Sequence, residues 1–161
     1  MPGSVLRFER VYALPREIVW DALVDSDLIS GWLAEADVEP RIGGRFDLEW
    51  FHFEPGFRTD GEIVELLEPD ILVVDTSNFG RTTFTLESQA GGPRGTSTLL
   101  TVDVHAIADP HFSGMISATW RISLEQLERL LYGHPVNWVS WEDEYGADWR
   151  SLVSEANHAN Q

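Results

Sequence analysis

Residues 114–133 read GMISATWRISLEQLERLLYG, and this stretch decides the fold. Ile116, Trp120, Leu124, Leu127 and Leu131 recur at spacings of 4, 4, 3 and 4, which puts them on one face of a helix. Arg121, Glu125, Glu128 and Arg129 fall mostly on the other side, as expected of a helix with one wet face. Gly133 followed by Pro135 is a strong stop. Ser123 with Gln126 fits a capping box, which would delay the regular helix until Leu124. A long amphipathic helix after a run of strands must cover something. What precedes it says what.

Working back from the helix, the period is 2 rather than 3.6. Thr96 to Ile107, Thr82 to Gln89, Ile71 to Ser77, Arg58 to Leu67 and Arg45 to Phe53 all read as strands, with a short one over Glu35 to Pro40. Their separators are turn chemistry: Gly91-Gly92-Pro93-Arg94-Gly95, Asn78-Phe79-Gly80, Glu68-Pro69-Asp70, Pro55-Gly56 and Ile42-Gly43-Gly44. Connections this short imply antiparallel neighbours. At the start of the chain, Val5 to Tyr12 alternates as a half-buried first strand. Two short helices follow. The first opens at Pro15 with Glu17 in its first turn and buries Ile18, Val19, Ala22 and Leu23, with Trp20 toward one flank. The second runs from Asp27 to Leu33 behind Ser26 as its cap. The fold expected is α+β: a curved antiparallel sheet around a long helix, two short helices after strand 1, and a pocket between sheet and helix.

The chain has 161 residues, enough for one domain. It has no cysteine, hence no disulfide, thiolate nucleophile or Cys-based metal site. No apolar run approaches the length of a membrane span, and Met1 to Val11 lacks the features of a signal peptide, so a cytoplasmic location is expected. Acidic residues outnumber basic ones 27 to 11, a formal net charge of -16, and every basic residue is an arginine. Such a body is repelled by phosphate backbones and anionic lipid, which argues against nucleic acid and membrane surfaces as partners.

Several short patterns, in order, resemble the START-like, polyketide-cyclase-like superfamily (SRPBCC, the helix-grip fold). The narrower likeness is to the branch related to the C-terminal domain of the activator of the 90-kDa heat-shock protein ATPase. The residues that carry it are Pro15-x-x-x-Val19-Trp20-x-Ala22-Leu23, Trp32, Gly43-Gly44-x-Phe46, Gly61-Glu62-Ile63, Pro69-x-x-Leu72 and Trp120-x-x-x-Leu124-x-x-Leu127. The resemblance implies a helix-grip domain over residues 1–133, with an apolar cavity beneath the last helix. Members of the superfamily bind lipids, hormones or polyketides, some transform their substrates, and some assist a chaperone. Residues 134–161 go beyond the pattern. There Trp138, Trp141, Tyr145, Trp149, Leu152 and Ala156 make an aromatic stripe on an acidic helical extension, weakened by Gly146. It is expected to pack on its own domain or to form a homodimer interface.

No catalytic motif emerges. The histidines at 52, 105, 111, 134 and 158 lack metal-ligand spacing, and neither a nucleophile elbow nor a phosphate loop is present. No catalytic residue, metal or cofactor is expected. His105 and Asp103 lie opposite Leu100, Val102 and Val104, on a solvent face. Arg45 and Arg58 either guard a pocket mouth or stand solvated on their strands. The expected site is a pocket for a small apolar or aromatic ligand, walled by Trp32, Trp50, His52, Phe84, Trp120, Leu124 and Leu127. Its volume would be on the order of 300–1,000 Å³, with His52 as polar anchor. The alternative is a protein-interaction module of the chaperone-activator kind with a filled core. A weaker one is a cyclase or hydrolase using His52.

Overall fold

The computed structural model describes residues 4–50, 58–77, 80–93, 95–106 and 110–159. Strand β1 (Ser4–Tyr12) leads into helices α1 (Arg16–Val24) and α2 (Ser26–Ile29). Seven strands follow: β2 (Glu35–Val38), β3 (Phe46–Glu49), β4 (Arg58–Thr59), β5 (Gly61–Leu67), β6 (Ile71–Thr76), β7 (Gly80–Ala90) and β8 (Thr96–Ala106). Helix α3 spans Pro110–Leu131, and α4 (Ala147–Ala159) is entered through a π-helical turn, Glu142–Gly146. All strand pairs are antiparallel. They form a five-stranded sheet, β1-β8-β7-β6-β5, and a three-stranded one, β2-β3-β4. The two are joined at Gly43 N to Ile63 O (2.7 Å) and Ile63 N to Gly44 O (3.0 Å), with a bridge between Arg45 and Glu62.

Alternation along the strands is the alternation of burial. Leu100, Val102 and Val104 point into the core, while His105 stands exposed on the other face and Thr101 and Asp103 are half-buried there. Asp103 accepts from Arg7 Nε at 2.7 Å. The expected stretch Arg58 to Leu67 divides at Asp60, because β4 pairs with β3 whereas β5 pairs with β6. The part of the Arg45–Phe53 expectation beyond Trp50 lies outside the described residues.

Helix α3 buries Ile116, Trp120, Leu124 and Leu127 as its period demands, and Arg121, Glu125, Glu128 and Arg129 are exposed. It differs from expectation in two ways. It begins at Pro110 rather than after Ser123, so Ser123 and Gln126 are not a cap. It also buries a second face, Ala118, Thr119, Ile122, Ser123 and Gln126, because the C-terminal segment lies on it. Its end is a Schellman motif. Gly133 takes φ +88°, its N–H donates to Leu130 O at 2.9 Å, and His134 N donates to Arg129 O at 2.8 Å. Glycine enters that left-handed conformation without a side-chain clash.

From there the chain turns back along α3. Ile122, Trp141 and Tyr145 form a second apolar cluster, with Val136, Trp138, Trp149 and Leu152 packed against it. Each indole N–H in this segment has a partner: Trp138 Nε1 donates to Ser30 O (2.7 Å), Trp141 Nε1 to Gln126 Oε1 (2.7 Å) and Trp149 Nε1 to Thr119 Oγ1 (3.0 Å). Arg129 lies over the Tyr145 ring at 5.4 Å, a cation–π contact.

Two smaller expectations are corrected. Asp25, not Ser26, caps α2: its Oδ1 accepts from Asp27 N (2.9 Å) and Leu28 N (3.2 Å), while Ser26 Oγ accepts from Val38 N and so ties β2 to the helix. On α1, Trp20 is buried and Ile18 is 39% exposed, because α1 meets β7, β8 and α3 rather than one neighbour.

Two outcomes follow from this packing. Gln126→Leu strands Trp32 O and Trp141 Nε1, and should lower unfolding free energy by roughly 2–6 kcal/mol in urea titrations, at about 1–3 per orphaned group. Burial pushes the Tyr12 hydroxyl above its ordinary 10.0, and it donates to Leu124 O at 2.8 Å. A raised folded value means a contribution complete below pH 10.0 and lost as pH climbs beyond it. Tyr12→Phe should remove that share of the alkaline loss, leaving the share of Tyr145, which burial raises too.

Candidate functional site

Where the two sheets part, α3 presents Trp120. Phe84 of β7 meets the Trp120 ring edge-on, with centroids 5.7 Å apart and planes at 64°, and Trp32 lies on it at 6.4 Å and 52°. These geometries favour aromatic pairs. Around Trp120 runs a narrow seam. Its walls come from β3 (Phe46, Leu48), β4 (Thr59), β6 (Val74, Thr76) and β7 (Thr82, Phe84). Cross-strand register puts these side chains together: Leu48 faces Thr59, and Val74 faces Thr82.

The seam encloses about 10 Å³, room for about one water molecule. Among the described residues, large side chains close around it, and its polar groups are hydroxyls and one indole. Thr59 Oγ1 accepts from Trp50 Nε1 at 2.8 Å, and Thr76 Oγ1 donates to Gly80 O at 2.7 Å. Trp120 Nε1 is buried and, among the described residues, has no hydrogen-bond partner; Ser123 Oγ, three residues on, is in the same condition. A buried donor left unpaired costs about 1–3 kcal/mol. None of the described wall residues is titratable.

The residues expected to wall a pocket are thus distributed unequally. Trp120 and Phe84 line the seam. Trp32 stands one ring behind and is held by its indole N–H to Ala22 O at 2.8 Å. Trp50 is 3% exposed and braces Thr59. Leu124 and Leu127 are buried further along α3, where Leu124 O receives the Tyr12 hydroxyl. His52 lies outside the described residues. Thr59, Thr76, Thr82 and Val74 were not anticipated. Thr82 shares a face with Phe84 by the strand period, which is the signal that points to it. Arg45 is turned to the surface, paired with Asp37 (3.3 Å) and Glu39 (2.9 Å), and Arg58 is exposed as well. Among the described residues no group of three or more His, Asp or Glu side chains is placed to hold a metal ion, and no helix is long and apolar enough to cross a membrane.

Several solved structures share this architecture. CalU16 from Micromonospora echinospora matches with a TM-score of 0.71 at 20% identity over 98% of this chain and 84% of that one. Protein MLL2253 from Mesorhizobium loti matches at 0.64 with 24% identity over 83% of this chain and 100% of that one. DynU16, a protein of the dynemicin biosynthetic locus, matches at 0.68 with 22% identity over 83% of this chain. This chain spans about half the length of DynU16 (49%). At these identities the likeness is one of fold. No curated protein matches the sequence. Residues 13–132 match the family described as "Activator of Hsp90 ATPase homolog 1-like protein". With that match over most of its length, and with a long helix packed on a large antiparallel sheet, the chain belongs to this family, within the helix-grip superfamily.

Proposed function

We propose that the protein holds a small apolar ligand carrying a hydrogen-bond acceptor in the seam beneath α3, with the indole N–H of Trp120 as donor. The observation that carries this reading is the buried, unpartnered Trp120 Nε1 in a wall otherwise made of aromatic, aliphatic and threonine side chains. A ligand carbonyl or ether oxygen would satisfy it without adding a charge to a dry site. The ligand would enter by spreading the three-stranded sheet from the five-stranded one. The Gly43, Gly44 and Ile63 bonds that join them are few. DynU16, whose gene lies in the dynemicin biosynthetic locus, shares the fold, and a shared fold does not by itself assign a ligand.

A second reading rests on a different observation. A seam of about 10 Å³ is that of a filled core, as expected of a protein-interaction module in which surface and tail do the work. The cyclase or hydrolase alternative has no support among the described wall residues, since none is an acid or a base.

The readings separate with a matched pair of probes, 2-acetonaphthone and 2-ethylnaphthalene, followed by tryptophan fluorescence and native mass spectrometry. The ketone should bind more tightly than the hydrocarbon. Trp120→Phe keeps a ring where Ala would forfeit roughly 3–5 kcal/mol of packing. It should weaken ketone binding by about 2–10-fold, the worth of one hydrogen bond, and leave the hydrocarbon nearly unaffected. Equal binding of both probes removes Trp120 from the site, and binding of neither favours the interaction module.

A further inference from the structure

Strand β1 is the outer strand of the five-stranded sheet, and its nine residues pair with β8 in unbroken register from Ser4–Ala106 to Tyr12–Thr98. The opposite edge, β5, is protected: it carries a register shift between Ile63 and Glu65 and is bridged to β3's flank through Glu62. Among the described residues β1 has no such cover. It holds no proline, glycine or bulge, and its outward face keeps Val5 and Val11 53% and 55% exposed. Long regular edges of this kind are templates for another strand.

The backbone can be oriented from one contact. The Arg10 guanidinium donates to Glu9 O at 3.1 Å. A carbonyl that a side chain of its own strand can reach is one turned away from β8. By the two-residue period of a strand, Val5, Arg7, Glu9 and Val11 then offer their N–H and C=O groups to the free edge. Those same four side chains lie on the outer face of the sheet, exposed.

Their order reads the same against itself. An antiparallel copy related by a two-fold axis through Phe8 sets Val5 opposite Val11, Arg7 opposite Glu9, Glu9 opposite Arg7 and Val11 opposite Val5. Two apolar pairs flank two ion pairs. Arg7 already gives Nε and Nη2 to Asp103, which fixes its guanidinium with Nη1 to spare, and Glu9 has no ion-pair partner among the described residues. The edge is also electrically suited to self-association. Ser4–Tyr12 carries two arginines against one glutamate, in a chain whose net charge of -16 opposes contact between most other parts of its surface. On the inner side, an open groove of about 330 Å³ runs beside Arg10, floored by Ile122 and Leu152 and rimmed by Glu125 and Asp148. It lies where the second copy's Leu6, opposite Arg10 in this register, would need space.

We propose that β1 is a self-recognition edge: two copies of this chain pair their β1 strands antiparallel about Phe8, joining two five-stranded sheets into one. The Glu9 carbonyl exchanges its Arg10 contact for a backbone N–H of the second copy, and each Glu9 carboxylate gains the other copy's Arg7. The seam beneath α3 takes no part, and the C-terminal segment enters only through the groove wall that holds Asp148 and Leu152.

Sedimentation velocity of the full chain over a concentration series, with amide exchange measured at the same concentrations, tests this. The expected result is a dimer in which the Arg7 and Glu9 amides gain protection as concentration rises. Glu9→Arg, which sets arginine against arginine twice in the dimer, should weaken association at least about tenfold while leaving the thermal transition of the monomer in place. Glu9→Pro, which deletes an outward N–H, should act in the same direction. A monomer at every concentration overturns the proposal. So does a dimer indifferent to both substitutions, or one whose Arg7 and Glu9 amides exchange alike at all concentrations.

Discussion

Gln126 is a neutral amide with no exposure, in the middle of a helix, and the arrangement of the whole molecule can be told from how it is satisfied. Its Nε2 donates to Trp32 O and its Oε1 accepts from Trp141 Nε1, both at 2.7 Å. Trp32 in turn donates to Ala22 O. One line of hydrogen bonds thus crosses from α1, through the turn after α2 and through α3, to the C-terminal segment. A buried amide tolerates no substitute for these partners, since water does not reach it. The sheet grips one face of α3 and the tail clasps another, and Gln126 requires both to be in place.

This explains how much of the fold is legible in the sequence and where legibility stops. The face Ile116, Trp120, Leu124 and Leu127 declares itself by local period, and Phe46, Leu48 and Trp50 do the same along β3 and its end. Those residues needed only their own neighbours to be read. Ser123 and Gln126 read locally as a capping box because polar residues three apart near a helix look alike whether they face water or a second layer. The partners that decide the matter, Trp32 O and Trp141, are far away in sequence. Asp25 and Ser26 are a milder case: both can cap, and the choice is made by Val38, whose N–H claims the serine.

The seam follows the same logic. Its aromatic members were accessible from periodicity, whereas its threonines were not. Thr59 enters because two-residue β4 aligns with Leu48, and Thr82 because β7 aligns with Val74. Register between strands is set by the assembled sheet, and a sequence read one strand at a time carries it only weakly. The volume of the seam is further still from the sequence, since it is a small difference between large packed volumes.

The seven tryptophans include two sets of neighbouring rings around α3. Trp32 and Trp120 sit 6.4 Å apart where the helix meets the sheet. On the tail side, Trp141 lies 6.5 Å from Trp138 and 6.4 Å from Trp149. Indoles this close share their excited states, so each set has its own signature in near-ultraviolet circular dichroism. Grip and clasp are therefore two chromophores, built into the chain without any label.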